Sequence, residues 1–100
     1  MIEEEKLIKQ AKNGDQASFG ALYDNYIKQI FRFVVLKVSS REEAEDIVHD
    51  VFLSAWQNMP NYQHRGFPFS SWLYQISRNK IIDYYALRGD LNQIVKYDNK

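Results

Sequence analysis

Residues 69–88 read FSSWLYQISRNKIIDYYALR, and this stretch decides the fold. Large side chains recur along it at helical spacing. At about 100° per residue, Phe69, Leu73, Ile76 and Leu87 fall on one face, with Trp72 and Tyr84 at its edges. Tyr74, Arg78, Ile81 and Tyr85 form a second stripe, and Gln75 and Asn79 lie between the two. Ser70 or Ser71 can cap the start, because a hydroxyl accepts a backbone N–H that has no partner inside the helix. Gly89 can end it, since glycine tolerates the left-handed turn past a helix terminus. A helix with one apolar face and one aromatic–basic face packs with the first and holds a ligand with the second.

Immediately before this helix, residues 58–68 read NMPNYQHRGFP. Two prolines, a glycine and two asparagines make it a loop. It carries Tyr62, His64, Arg65 and Phe67. Aromatic and basic groups beside an aromatic–basic helix face suit a flat, anionic ligand such as an unstacked nucleotide. The plainer reading turns Tyr62, Phe67 or both inward to close the core.

Three more helices precede the loop. Ser40 with Glu43 three residues on forms a capping box, the hydroxyl taking one free N–H and the carboxylate another. The helix that follows runs from Arg41 to about Gln57, with Ala44, Ile47, Val48, Val51 and Ala55 as its core face, flanked by Phe52 and Trp56. Its opposite face carries Asp46, His49, Asp50, Leu53 and Gln57. Leu53 is the odd member there. A solitary exposed Leu needs no explanation, yet an apolar centre in a polar rim is also the anatomy of a protein-binding spot. Upstream, Asp15 caps a helix expected to reach about Val38, with Phe19, Leu22, Tyr23, Tyr26, Ile30, Phe33 and Val34 as its stripe and Phe31 and Val35 off it. Glu3–Lys12 reads as a short first helix with Leu7, Ile8 and Ala11 on one side, broken by Asn13-Gly14. The sum is an all-α fold, a small bundle of about four helices over residues 1–88. Residues 89–100 read as a tail or the start of a linker.

One hundred residues with 45% hydrophobic and fifteen aromatic side chains make one packed domain rather than a disordered chain. Without cysteine there is no disulfide framework and no thiolate metal site. The acidic start MIEEEKLIKQ lacks the plan of a signal peptide, and no apolar run approaches the ~20 residues that span a bilayer. A soluble, cytoplasmic protein with no membrane partner is expected. The zero net charge hides an asymmetry. Residues 41–60 hold one Arg against five acids, and residues 64–88 four bases against one acid. Two oppositely charged surfaces with different partners follow from this, unless the two halves attract each other within the bundle.

The motifs taken together resemble region 2 of bacterial sigma factors, closest to the extracytoplasmic-function (ECF) type. The residues that carry the resemblance are Ala44-Glu45-Asp46-Ile47-Val48-His49-Asp50-Val51-Phe52, Trp56, then Phe69-Ser70-Ser71-Trp72-Leu73-Tyr74, Ile76, Arg78-Asn79 and Asp83, with Gly14-Asp15, Phe19 and Tyr23 upstream. Two multi-residue motifs at the right separation make this a specific signal, covering about residues 5–88. The resemblance implies an all-helical domain that binds the clamp helices of core RNA polymerase and captures the melted non-template strand of the −10 promoter element. It implies a polymerase contact at Asp46, His49, Asp50, Leu53 and Gln57, with His49 standing where many relatives have Gln. It implies a DNA contact at Tyr62, His64, Arg65, Phe67, Trp72, Tyr74, Arg78, Asn79 and Lys80. There the aromatics would stack bases at ~1–3 kcal/mol each, the cations neutralise phosphates, and Asn79 present a donor and an acceptor to a base edge. Trp72 is read as mostly core with an edge toward DNA, and Lys80 falls near the core stripe and must snorkel outward. An anti-sigma factor is a further implied partner. The family's second domain, region 4, is not in this sequence, and a linker toward it would begin near Lys100.

Two competing readings belong to other classes. One is a helical interaction domain that binds a protein through the Leu53 face and has no DNA binding of its own. The other is a metal enzyme, since Glu45 and Asp46 stand four and three residues before His49 on a helix. Carboxylate-bundle metal sites need a second acid–histidine step on a facing helix, and the other histidine, His64, sits in the loop. No nucleophile–base pair or glycine-rich phosphate loop is present. The expectation is therefore no enzyme, no metal and no cofactor.

Overall fold

The computed structural model describes residues 2–89, apart from the side chains of Ile2 and Arg88. The expected tail, beyond Gly89 itself, lies outside the described residues. Four helices form as the periodicities require: α1 Ile2–Lys12, α2 Gln16–Val35, α3 Arg41–Asn58 and α4 Phe69–Arg88, with a single 3₁₀ turn at Met59–Asn61. No strand occurs among the described residues.

Local chemistry sets most of the helix ends. Gly14 takes φ +94° between α1 and α2, a conformation that costs glycine little. The Asp15 carboxylate accepts the Ser18 N–H at 3.2 Å and caps α2. Ser40 accepts the Glu43 N–H at 3.1 Å and caps α3. The Glu43 carboxylate accepts from the hydroxyls of Ser39, Ser40 and Tyr84, which ties the α2–α3 turn to α4. Gly89 closes α4 in the left-handed region at φ +76°, its N–H reaching the carbonyls of Ala86 and Tyr85.

Two ends differ from expectation. α2 stops at Val35 rather than near Val38, so its 20 residues span ~30 Å. The Lys37 N–H bonds back to the Val34 carbonyl at 2.9 Å, a tighter turn that ends the ladder, and the Tyr85 hydroxyl donates to the Lys37 carbonyl. α4 starts at Phe69, two or three residues before a Ser70 or Ser71 cap would start it. Pro68 is its N-cap, at φ −60° and ψ 151°, and no side chain caps it. Proline's fixed φ aims the chain directly into the helix, and the Ser71 N–H is taken by the Pro68 carbonyl at 3.0 Å.

The core lies where α2, α3 and α4 meet, and α1 closes it through Ala11. α3 buries the expected face, Ala44, Ile47, Val48, Val51 and Ala55, and adds Phe52. Leu22, Ile30 and Val34 bury α2, while Phe19, Tyr26 and Phe33 are half-buried around them. α4 corrects the sequence reading. Its buried line is Phe69, Leu73, Ser77 and Ile81, in steps of four. Ile81, expected on the second stripe, is fully buried, whereas Leu87, expected in the core, is 90% exposed and Ile76 is half-buried. Each step of four overshoots a full turn by about 40°, so the buried line winds around α4 and carries Ile81 inward. Ser77 fits this line because its hydroxyl donates to the Leu73 carbonyl at 2.8 Å, leaving no polar atom unpaired in an apolar setting.

Candidate functional site

Asp46, His49, Asp50, Leu53 and Gln57 are all exposed, on the side of α3 that faces away from its buried residues. Leu53 keeps 45% of its surface in solvent. It also sits at the lip of an open groove of about 930 Å³ between α2 and α3. α3 contributes Glu45, His49 and Leu53 to this groove, and α2 contributes Tyr23, Phe31 and Arg32. The α2 wall escaped the sequence reading. Tyr23 repeats at core spacing, yet it is 40% exposed, its ring edge-on to Phe52 at 4.8 Å. A tyrosine at the margin of an apolar stripe is the one signal that could have found it, since its hydroxyl seeks water. At the groove's end the Arg41 guanidinium lies over the Phe31 ring at 4.9 Å and 3.4 Å from Glu45. Both ions of that pair are largely exposed, so it adds little to stability.

The loop is fastened from beneath. The 3₁₀ turn drives Met59 fully inside and leaves Tyr62 7% exposed. The Tyr62 ring packs against Phe69 at 5.3 Å and Trp72 at 4.8 Å. Tyr62 is thus a support under Trp72, the inward of the two readings its sequence allowed, while Phe67 takes the outward one. Burial, and then the negative charge of Glu4, raises the pKa of its hydroxyl. Phe67 stands 67% exposed at the loop's tip, and His64 and Arg65 are exposed beside it. Arg65 donates to the Gln63 side-chain oxygen at 3.2 Å.

Between this loop and α4 lies a hollow of about 270 Å³, walled by Arg65, Phe67, half-buried Trp72 and Gln75. A second, of about 740 Å³, continues along α4 past Tyr74, Arg78 and Asn79, with Phe33 of α2 as its far wall. Ser71 and Gln75 line both, so the two hollows form one track. Tyr74 is held in place, edge-on to Phe33 at 5.0 Å and with its hydroxyl accepting from Gln29 at 3.0 Å. The structure therefore brings Arg65, Phe67, Trp72, Tyr74, Arg78 and Asn79 together. Lys80 is half-buried and lines neither hollow, and His64 faces the other side of the loop. The track offers aromatic faces, cations and amides in sequence, a composition suited to a single nucleic-acid strand.

Among the described residues, Arg65, Arg78 and Lys80 make no ion pair with the acids of α3. The exposed acids Asp46 and Asp50 and these three cations are therefore not paired with one another.

A family model described as Sigma-70 region 2 matches residues 22–89. The chain belongs to the sigma-70 region 2 family. It is similar to the ECF RNA polymerase sigma factor SigW of Bacillus subtilis, 37% identical over 78 residues, which is 78% of this chain and 41% of that protein. It is similar to the ECF RNA polymerase sigma factor BldN of Streptomyces coelicolor, 31% identical over 80 residues, 80% of this chain and 30% of BldN. A probable RNA polymerase sigma factor of Haemophilus influenzae is 39% identical over 61 residues, 61% of this chain and 31% of that protein. The chain spans less than half the length of these relatives. Both surfaces described above fall within the region 2 match apart from the start of α2, while α1 lies outside it. No helix among the described residues of this region 2 domain is long and apolar enough to cross a membrane.

Proposed function

We propose that this region 2 domain joins core RNA polymerase to the melted non-template strand of the −10 promoter element at transcription initiation. The exposed α3 face seats on the clamp helices. Leu53 supplies the apolar centre, and Asp46 and Asp50 supply charge for basic clamp residues. His49 and Gln57 complete the polar rim. The loop–α4 track holds the opened strand, with bases against Phe67, Trp72 and Tyr74 and phosphates against Arg65 and Arg78. Asn79 reads a base edge. The domain performs no chemistry of its own. It acts where polymerase is, in the cytoplasm, and an anti-sigma factor competes for the α3 face and its groove.

One observation supports this reading above the rest. A single small core carries two exposed surfaces of opposite charge that do not pair with each other, one with an apolar anchor and one with aromatic walls. The test combines a pull-down on core RNA polymerase with binding of labelled single-stranded DNA. Wild type should do both, Asp50→Arg should lose polymerase alone, and Arg78→Gln should weaken DNA alone. If wild type holds polymerase and binds no single strand at low salt, the domain is an interaction module and the DNA half of the reading falls.

A further inference from the structure

Trp72, half-buried in the wall of the track, ends a chain of contacts that begins on α1. The half-buried Glu4 carboxylate accepts from the Tyr26 hydroxyl at 2.5 Å. The Tyr26 ring packs on Phe69 at 5.8 Å. Phe69 packs in turn on Tyr62 at 5.3 Å and on Trp72 at 5.6 Å, and Tyr62 closes the cluster against Trp72 at 4.8 Å. Phe69 and Tyr62 are buried, so a displaced ring must displace its neighbours. α1 packs on α2 and on the 3₁₀ turn. Between α1 and the loop lies a hollow of about 690 Å³, lined on its two sides by Glu4 and Ile8 and by Tyr62, Pro68 and Phe69, among others. Close packing on α1 therefore does not hold the underside of the loop, and the Glu4 hydrogen bond ties α1 to the ring cluster. Glu4 lies outside the part of the chain that matches region 2, and Tyr26 inside it.

We propose that Glu4 is a positioning residue for the loop–α4 track: it holds Tyr26 against Phe69 and so fixes the pose in which Trp72 is offered to a base. The inference rests on the DNA half of the proposed function. Glu4 itself touches no strand. A carboxylate accepting from a hydroxyl makes a charge-assisted bond, stronger than a neutral one. Without it the Tyr26 ring gains freedom, Phe69 and Tyr62 follow, and Trp72 keeps its pose in a fraction of the molecules. The apparent affinity for the strand falls in proportion to that fraction. The sign of this effect is distinctive. By charge alone, deleting an acid tightens the binding of a polyanion, whereas losing the brace weakens it.

The test measures the affinity of the 100-residue chain for a single-stranded oligonucleotide at several salt concentrations. Glu4→Ala and Tyr26→Phe should each weaken binding several-fold without changing the salt slope, because no phosphate contact is lost. The double variant should bind no more weakly than either alone, since both changes remove one bond. Glu4→Gln keeps an acceptor oxygen and should bind as wild type does. Glu5→Ala removes an exposed acid of the same helix that makes no such bond among the described residues, and should not weaken binding. Binding to core RNA polymerase should be the same in all of them. Fluorine NMR of the fluorotryptophan-labelled chain supplies a second readout, with Trp56→Phe assigning the resonances. In Glu4→Ala the Trp72 resonance should move, while that of Trp56, in the α2–α3 groove, stays in place. Unchanged or tighter DNA binding by Glu4→Ala, additive losses in the double variant, or equal displacement of both resonances overturns the brace and leaves the track intact. Failure of wild type to bind any single strand overturns the DNA reading itself, and this inference with it.

Discussion

Truncating Leu53 tests the proposed polymerase contact with a magnitude fixed by the structure. The side chain is 45% exposed in the domain, so slightly under half of its surface remains to be buried by a partner. Complete burial of a leucine is worth about 1.5–3 kcal/mol, which leaves roughly 1 kcal/mol for the contact, or about a fivefold loss of affinity for Leu53→Ala. Leu53→Asp should lose more, because a carboxylate forced dry without a partner adds roughly 1–3 kcal/mol. Neither change opens the core, since Leu53 lies opposite the buried face of α3, and chemical denaturation should show losses under about 1 kcal/mol. The assay is equilibrium binding of a labelled domain to core RNA polymerase or to an isolated clamp-helix fragment. If both variants bind within twofold of wild type, Leu53 is an ordinary surface leucine and the α3 face is not the contact.

Further outcomes follow from other parts of the structure. Ile81→Ala should cost about 2–5 kcal/mol in denaturant unfolding, as a fully buried isoleucine, whereas Leu87→Ser should stay within about 0.5 kcal/mol. The reverse ranking would restore the stripe read from the sequence. Burial first, and then the hydrogen bond and charge of Glu4, raise the pKa of the Tyr26 hydroxyl above its ordinary range. The folded chain thus keeps this proton to higher pH than the unfolded chain. Its stabilisation is complete below about pH 10 and falls as pH rises beyond it. Urea unfolding at pH 8 and pH 11 should show a smaller alkaline loss in Tyr26→Phe than in wild type, and an equal loss would break that account. Arg78→Gln should lower the salt slope for single-stranded DNA by about 0.7 without touching polymerase binding, measured by fluorescence anisotropy.

The parts of the fold that were legible are those whose causes lie within a few residues. Asp15, Ser40 and Gly89 each act on a backbone group within a turn, and all three stand where the sequence put them, whereas the Glu43 carboxylate, expected to take a backbone N–H, accepts from hydroxyls. α3 was legible throughout because one face is wholly buried and the other wholly free, a plain two-sided pattern. α4 was less so. It packs mainly on α3 and also on α2, and its buried line drifts between the two, so a fixed angular window misassigned Ile81 and Leu87. The sequence leaves Tyr62 between core and ligand for a different reason. A loop has no period, and the direction of its ring is set by a 3₁₀ turn built around Met59, whose burial nothing local announces. The track's composition could be read from the chain, but which aromatic supports and which is offered depended on that turn.

The charge pattern carries the final step. A zero net charge split into an acidic α3 and a basic loop–α4 segment has two physical resolutions. If the halves attracted each other inside the bundle, cations of α4 would lie within ion-pair distance of the α3 acids, and the asymmetry would be a stability device. Instead, among the described residues, Arg65, Arg78 and Lys80 pair with neither Asp46 nor Asp50, and Arg41 pairs with Glu45 within α3 itself. Arg65 and Arg78 open onto the track, and Asp46 and Asp50 onto the other face. Exposed charges left without internal partners contribute little to folding, but they steer encounter with oppositely charged surfaces and set salt dependence. The core's work is therefore to hold two mutually attractive surfaces apart. Glu43 accepting from Tyr84, and the Lys37 carbonyl accepting from Tyr85, brace α4 against the α2–α3 turn at that spacing. On the proposed function, this lets a protein and a polyanion be bound at once without either surface neutralising the other.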